Sequence, residues 1–585
     1  MIVAHVTHEA VENIGGIGTV IAGLVTAEAY RKKVSRSFLI GPKFAGEKTL
    51  ADRLGPHGEV LYCRADGKIG GEYEKIIRPV EERYGCEIDF GRRLIIEPYS
   101  GKNVLIDVIL VDVSVVNIER LNTFKGRLFE KFGVTSDRFE NIWEYEQYVR
   151  LAEPACDTLR ALINGARNPV VILGHEFMGM PTVLKAKLDM PESRAYFHAH
   201  EVASVRPVVE KRSGHDTMFY NVMSAARRKG LTLEEVFDEV AVNFKHRLVK
   251  AAKYCDGVLA VGDFVREELE FMSSDFTESN VHLVYNGIPS NHITLDDKIR
   301  SRTMLCDYAR KLLGYCPRWV FTHVARPVLS KGIWRDLRVM HELDAMLQQR
   351  GETAVYFMLG TLGGVRRPSD VMRMEKDYDW PVTHRLGYPD LCGGEDVISD
   401  NIDAFNVSHQ AVHAILINQW GFNRQACGER MDVDTTIADL RKGCDIEFGM
   451  SVYEPFGISQ LEGLTYGALS VISNICGCAG FVGLTERNQP TGNVIVGDFV
   501  RQKNIADEIY RKNPDKAVQT LLSLGREQRD QIEKMEGRRL ARQIDSLLPR
   551  SMGEQQKMLE GGLELADKMS WQRVVSEMLM PVIAG

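Results

Sequence analysis

Two glutamates eight positions apart, Glu454 and Glu462, stand in the segment Val452-Tyr453-Glu454-Pro455-Phe456-Gly457-Ile458-Ser459-Gln460-Leu461-Glu462-Gly463. Glu454 closes an apolar run, Pro455 suits the entry to a helix, and Gly457 lets backbone approach a ligand closely. A helix starting near Ile458 would turn its free N–H groups toward a phosphate, with Glu462 about one turn inside. The two carboxylates then meet a bound ligand at different depths and do not form an acid–base dyad. A second constellation is basic. Arg326 and Lys331 follow the apolar run Trp319–Val324. Ser330 reads as an N-cap, so Lys331 sits at a helix N-terminus, a poor place for a cation unless an anion shares it. Fixed cations at the C-terminal end of a strand sit where α/β sheets bind ligands and can hold an anion there. A single preorganised donor of this kind contributes about 2.7–4 kcal/mol.

A third cluster follows the apolar run Ile2–Val6. Asn13-Ile14-Gly15-Gly16-Ile17-Gly18-Thr19 precedes an apolar helix from Val20. Glycines between a strand and a helix serve either a tight turn or an anion held by backbone amides. A dinucleotide fingerprint would need glycine at 21, where Ile21 stands, which disfavours an NAD-dependent dehydrogenase, and no GxxxxGK[ST] loop is present at this site. Histidines form the fourth cluster, in His198-Ala199-His200-Glu201 with Arg206 beyond, and in Gly174-His175-Glu176-Phe177-Met178-Gly179. In a strand His198 and His200 share a face while Glu201 points away, which argues against a metal, and neither metal nor cofactor is expected. For His175, core packing and substrate contact both stay open.

Strands alternating with helices must position these groups. Ile2–Val6, Ser37–Ile40, Val104–Leu110, Val170–Leu173, Arg194–His198, Gly257–Val261, Val281–Val284, Trp319–Val324, Val355–Leu359 and Leu469–Ser473 read as strands, and Leu231–Ala252 and Ile333–Leu347 as helices. The alternation predicts an α/β fold with mostly parallel sheets, restarting near Trp319 after a polar segment. The tail after Arg501 reads as helices. The 585 residues allow two to four domains and a large core without staples. With 73 Lys+Arg against 80 Asp+Glu, a net charge of −7 over this length disfavours a nucleic-acid or polybasic membrane partner. No run approaches the ~18 apolar residues of a membrane span. The N-terminus lacks a basic, cleavable leader pattern, and eleven cysteines without a CxxC pair make neither a disulfide framework nor a zinc site. The chain reads as cytoplasmic.

Glu454-x7-Glu462 within YEPFGISQLE, followed by Gly467-Ala468 and a strand, resembles the signature of retaining GT-B glycosyltransferases, in particular the glycogen/starch synthase group. Arg326-x4-Lys331 is similar to that family's diphosphate clamp, and Phe197-x2-His200 with Arg206 to its Phe-x-x-His with a later arginine. His175-Glu176-Phe177 resembles its His-Glu-aromatic turn, and Tyr285-Asn286-Gly287 the turn that closes its first domain. The resemblance runs from about Ile2 to Ile475. It implies two Rossmann-like domains facing across a cleft, an N-terminal one over residues 1–310, a nucleotide-sugar-binding one over 311–555, and a helical segment 556–585 crossing back to the first. It also implies a nucleotide-sugar-dependent hexosyltransferase that moves glucose from UDP- or ADP-glucose to the nonreducing end of an α-1,4-glucan with retention. Carried over by position, catalysis falls on Glu454, Arg326, Lys331 and His200. Donor binding falls on Gly15, Gly16, Gly18, Arg206, Phe456, Gly457, Ile458 and Glu462, and His175 and Glu176 line the cleft. A small sugar acceptor, and a noncatalytic glucan-binding protein of the same fold, are the rival readings; a homo-oligomer is compatible with either.

Departures from the family are visible. Asn13 stands where the family has a lysine, the segment Pro389–Arg430 reads as an insertion, and Cys476-Gly477-Cys478 replaces small residues, as packing side chains. Arg538, Arg539 and Arg542 resemble the arginine-rich helix that binds glucose 6-phosphate in the family's eukaryotic branch, although a solvated face accounts for them more simply.

Overall fold

Two sheets carry the chain in a computed structural model that describes residues 1–11, 15–46, 48–97, 101–487 and 491–585. The strands of the first are β1 (Ile2–Val6), β2 (Arg36–Pro42), β3 (Glu59–Tyr62), β4 (Ile88–Ile96), β5 (Asn103–Val111), β6 (Val170–His175), β7 (Arg194–Ala199), β8 (Gly257–Ala260) and β9 (Val281–Leu283). Their order is β3-β4-β5-β2-β1-β6-β7-β8-β9. All neighbours pair parallel except β3–β4 and β4–β5. The second sheet joins β10 (Trp319–Val324), β11 (Ala354–Leu359), β12 (Val412–Ile417), β13 (Ile446–Gly449), β14 (Leu469–Ser473) and β15 (Val494–Gly497) in the order β12-β11-β10-β13-β14-β15, all parallel. Strands buried on both faces read as continuous apolar runs, as β1, β11 and β14 do.

The chain divides into two units. The first comprises Met1–Val205, Gly230–Gly287 and Trp571–Gly585, and the second Arg206–Lys229 and Ile288–Ser570. The sequence placed the division near residue 310. In the structure the helix Leu295–Leu313 lies wholly in the second unit, anchored by the buried Lys298, whose ammonium donates to the carbonyls of Lys442, Cys444 and Tyr466 at 3.2, 2.9 and 2.9 Å. The last fifteen residues pack in the first unit. There Gln572 accepts from the Glu28 amide at 2.7 Å and the Tyr196 hydroxyl donates to the Val582 carbonyl at 3.1 Å. Gly23 makes room for Trp571, since a Cβ on it would come within 2.2 Å of the indole.

Two expectations are corrected. Leu231–Ala252 is not one helix: it breaks into Leu233–Val236 and Phe244–Lys250, separated and followed by 3-10 turns. Pro389–Arg430 is not an insertion but part of the sheet, supplying the helix Glu395–Ser408 and the edge strand β12. Its loops are held by Glu395, whose carboxylate accepts from Thr361, from the Leu362 and Gly363 amides and from Arg366, and is thereby held down at about 2 despite its burial. One disulfide is present, Cys306–Cys316, formed where the chain reverses at Gly314 (φ +82°); the other described cysteines are free thiols. No helix among the described residues is long and apolar enough to cross a membrane.

Candidate active site

In the second unit, β10 ends at Val324 and the chain turns through Arg326 into a short 3-10 turn, Leu329–Lys331. Ser330 is not the N-cap of the following helix, Ile333–Gln349. That place belongs to Gly332 (φ +62°), and Lys331 lies two residues before the helix. Glycine is required there twice over, by its left-handed backbone and by the Met450 carbonyl, which a Cβ would approach to 2.5 Å. The buried Ser330 instead ties the basic turn to the glutamate segment: its carbonyl accepts from the amides of Val452 and Tyr453 at 2.8 and 3.2 Å. Lys331 and Glu454 are consequently brought together in a direct ion pair. Gln460 donates to Ser451 at 2.9 Å, and Ser451 donates toward Glu454 at 3.4 Å. Arg326 is exposed, and among the described residues its guanidinium has no hydrogen-bond or ion-pair partner. Arg206, also of this unit, donates to the Ser330 hydroxyl at 3.3 Å and lies over the Tyr453 ring at 4.9 Å.

No α-helix starts at Ile458. Three-residue turns lead from Ile458 into a 3-10 helix, Glu462–Tyr466. Gly457, Ser459, Gly463, Thr465 and Gly467 make the stretch a poor α-helix former. Gly463 and Gly467 also admit neighbours that a side chain would strike, Ala468 at 3.0 Å and the Leu559 backbone at 2.7 Å. Gly457 (φ +97°) leaves the backbone of Phe456–Ile458 beside Glu454. Glu462 pairs with Arg441 at 2.7 Å, and Arg441 reaches Glu447 of β13 at 2.8 Å. Sequence reasoning missed Arg441 and Glu447. An acidic residue inside the apolar run Ile446–Gly449 was the available signal. Cys476 and Cys478 are buried behind this segment, the Cys478 amide donating to the Phe456 carbonyl at 3.0 Å. Arg538 and Arg539 are paired with Glu342 and Glu536.

In the first unit the helix Ile17–Thr26 begins at Gly16 without a side-chain cap, and the Gly18 amide is taken by the buried Glu9 carboxylate at 2.8 Å. A carboxylate of the chain therefore occupies part of the anion position offered by Gly15, Gly16 and Gly18. Asn13 lies outside the described residues. A recess of about 130 Å³ beside this turn is lined by Glu9, Gly18, Thr19, Leu39, Arg93 and Ile96, among others.

The histidines gather at the C-terminal ends of three adjacent strands. His175 pairs in register with His198 across β6 and β7, and His200 follows just past the end of β7. His5 of β1, unnoticed in the sequence, joins them. Its Nδ1 lies 3.0 Å from His175 Nε2, and His175 Nδ1 lies 2.8 Å from His200 Nε2. Burial pushes His5 and His198 down to about 3, and burial with neighbouring histidines holds His175 and His200 well below the ordinary value. The rings are neutral at pH 7. His175, His198 and His200 each place a nitrogen within 4.8 Å of the others. That bound is looser than the ~3.4 Å edge of a tetrahedral site with ~2.1 Å zinc–nitrogen bonds, and one pair is already joined by a hydrogen bond. Glu176 is buried with φ +61°, and its carboxylate accepts from the Glu201 amide at 2.6 Å.

No protein-family model matches the chain, and no curated protein matches it. Solved structures do. One, described as "Trehalose-6-phosphate from E. coli bound with UDP-2-fluoro glucose", is similar with a TM-score of 0.50 at 11% identity, covering 100% of this chain and 99% of its own. The chain has the GT-B fold. Other similar GT-B structures include a UDP-forming α,α-trehalose-phosphate synthase from Burkholderia vietnamiensis (TM-score 0.47, 11% identity, 100% of both chains). The catalytic domain of starch synthase IV from Arabidopsis thaliana, bound to ADP and acarbose, is another (TM-score 0.44, 13% identity, 96% of this chain and 99% of its own).

Proposed function

We propose that the chain is a retaining glucosyltransferase that takes glucose from a nucleotide diphosphate and adds it to the nonreducing end of an α-1,4-glucan. The observation that carries this reading is Arg326, an exposed guanidinium without a partner among the described residues, just past the end of β10 and five residues before a lysine already paired with Glu454. Cleaving a sugar–phosphate bond loads charge onto the leaving diphosphate. Arg326 and Lys331 take up that charge, and Lys331, drawn to the phosphates, releases Glu454 to the sugar. Backbone amides at Phe456–Ile458 meet sugar and phosphate, Arg206 reaches phosphate, and Glu462 takes the ribose hydroxyls. His200 contacts the donor sugar. Without a covalent nucleophile, the incoming hydroxyl attacks on the face the diphosphate leaves. This differs from the two-carboxylate route of retaining hydrolases.

A second acceptor class, a small phosphorylated sugar, is favoured by the E. coli structure, whose description pairs trehalose-6-phosphate with UDP-2-fluoro glucose. The deciding experiment offers UDP- and ADP-[14C]glucose with glycogen or with glucose 6-phosphate and sizes the product. A ladder of lengthening glucans supports the first acceptor. A single disaccharide phosphate replaces it with the second, and no transfer to either overturns both.

A further inference from the structure

Behind His200 runs an unbroken line of hydrogen bonds. His200 Nε2 meets His175 Nδ1 at 2.8 Å, His175 Nε2 meets His5 Nδ1 at 3.0 Å, and His5 Nε2 meets the Tyr30 hydroxyl at 2.9 Å. Tyr30 in turn meets the hydroxyl of the half-buried Ser37 at 3.0 Å. His5, His175 and Tyr30 are fully buried, His200 is half-buried, and no carboxylate among the described residues is bonded to any of these rings. A neutral imidazole has one N–H and one lone pair, so each ring must donate to one neighbour and accept from the other. The line therefore has only two complete arrangements, which interconvert by moving every proton together. In one the protons point toward His200, which then carries its own hydrogen on Nδ1. In the other they point toward Ser37, and His200 Nδ1 is a bare lone pair. Phenol is the stronger hydrogen-bond donor and imidazole nitrogen the stronger acceptor, which selects the first.

We propose that Tyr30, His5 and His175 are positioning residues that fix His200 in its Nδ1–H tautomer, so that its open end is a hydrogen-bond donor held ready for a hydroxyl of the transferred sugar. This rests on the assignment of His200 to the donor sugar. It goes further by naming the proton that does the holding and the buried groups that place it. Burial keeps the Tyr30 phenol protonated and the rings uncharged, so the line is not scrambled at neutral pH. His198, 1% exposed, with both nitrogens lacking partners and its ring centroid 4.2 Å from that of His200, restrains the ring without entering the line.

The test is a two-bond 15N–1H correlation spectrum of the full chain labelled with [15N]histidine, which separates protonated from bare ring nitrogens. His200→Gln identifies the His200 signals. The unsubstituted chain is expected to show His5, His175 and His200 all protonated on Nδ1. Tyr30→Phe, which removes the donor at the buried end, is expected to split His200 into both tautomers. It should also lower kcat/KM for transfer by about tenfold, with a melting curve confirming the fold. A proton on His200 Nε2 in the unsubstituted chain overturns the proposal without need of any variant. A Tyr30→Phe chain whose His200 tautomer or transfer rate is unchanged overturns the positioning role. The predicted tautomers in a chain that transfers nothing would instead overturn the transferase reading and leave the relay standing.

Discussion

Two histidines of the buried cluster, His198 of β7 and His5 of β1, are predicted to respond in opposite ways to removal. His198 is buried with both ring nitrogens lacking partners, so it bears the cost of desolvation with no return. His198→Leu should be neutral or stabilising by up to about 1 kcal/mol at pH 7.5. His5 links Tyr30 to His175, and His5→Leu leaves His175 Nε2 buried without a partner and the Tyr30 phenol with Ser37 alone. That change should destabilise by about 1–3 kcal/mol. Urea denaturation of the two variants checks both signs; equal losses would mean that the hydrogen bonds are not what holds the cluster. At this scale the two segments that bring Lys331 and Glu454 together were legible in the sequence, because each places a polar group at or just beyond the end of an apolar run. Their partners were less so. Arg441, Ser330 and Glu9 act through contacts that sequence spacing does not encode, and His5 hides inside an apolar strand.

Elements decide where those side chains go. Gly332 both ends the 3-10 turn of Lys331 and starts the helix Ile333–Gln349, in left-handed backbone pressed against Met450. Gly332→Ala should destabilise by about 1–3 kcal/mol through backbone strain alone. Because the turn carries Lys331, it should also lower transfer activity at temperatures where the variant is still folded. Thermal melting and initial rates, measured together, test this; a variant as stable and as active as the parent would contradict it. Ten strands were readable because parallel strands buried on both faces are continuous apolar runs. β3, β4, β12, β13 and β15 were not; Gly91, Arg92 and Arg93 interrupt β4, and β13 is four residues long with Glu447 inside it. The α-helix expected at Ile458 failed because glycines that admit close neighbours also weaken an α-helix, a tertiary demand that local pattern does not reveal.

Across the whole molecule the buried histidines set a pH dependence. The folded-state values of His5, His8, His175, His198, His200 and His246 all lie below the ordinary 6.5, mainly through burial. The unfolded chain therefore binds protons that the folded chain does not. Stability present above about pH 6.5 is lost as the pH falls toward 3–4. Paired carboxylates such as Asp189 and Glu395, held at about 2, lose their contribution mainly below their ordinary values near 4, so the interval from pH 6.5 to 5 reports the histidines. The urea midpoint should fall across that interval, and less steeply in His198→Leu, which removes one of the groups; a flat profile would mean that the rings are not buried neutral. The two-sheet organisation and the GT-B resemblance were legible in the sequence. The passage of Arg206–Lys229 into the second unit was not read from the sequence, whereas Trp571–Gly585 of the first unit lies within the segment 556–585 that was expected to cross back, its start set by surfaces such as Gly23 against Trp571. The central claim is that Arg326 stabilises a departing diphosphate. The measurement that tests it most directly is glucose transfer from UDP- or ADP-glucose by the unsubstituted chain and by Arg326→Ala. A fall in kcat of about 10²–10³ without loss of fold is predicted. Undiminished transfer by the variant, or no turnover of either donor by the parent, would contradict it.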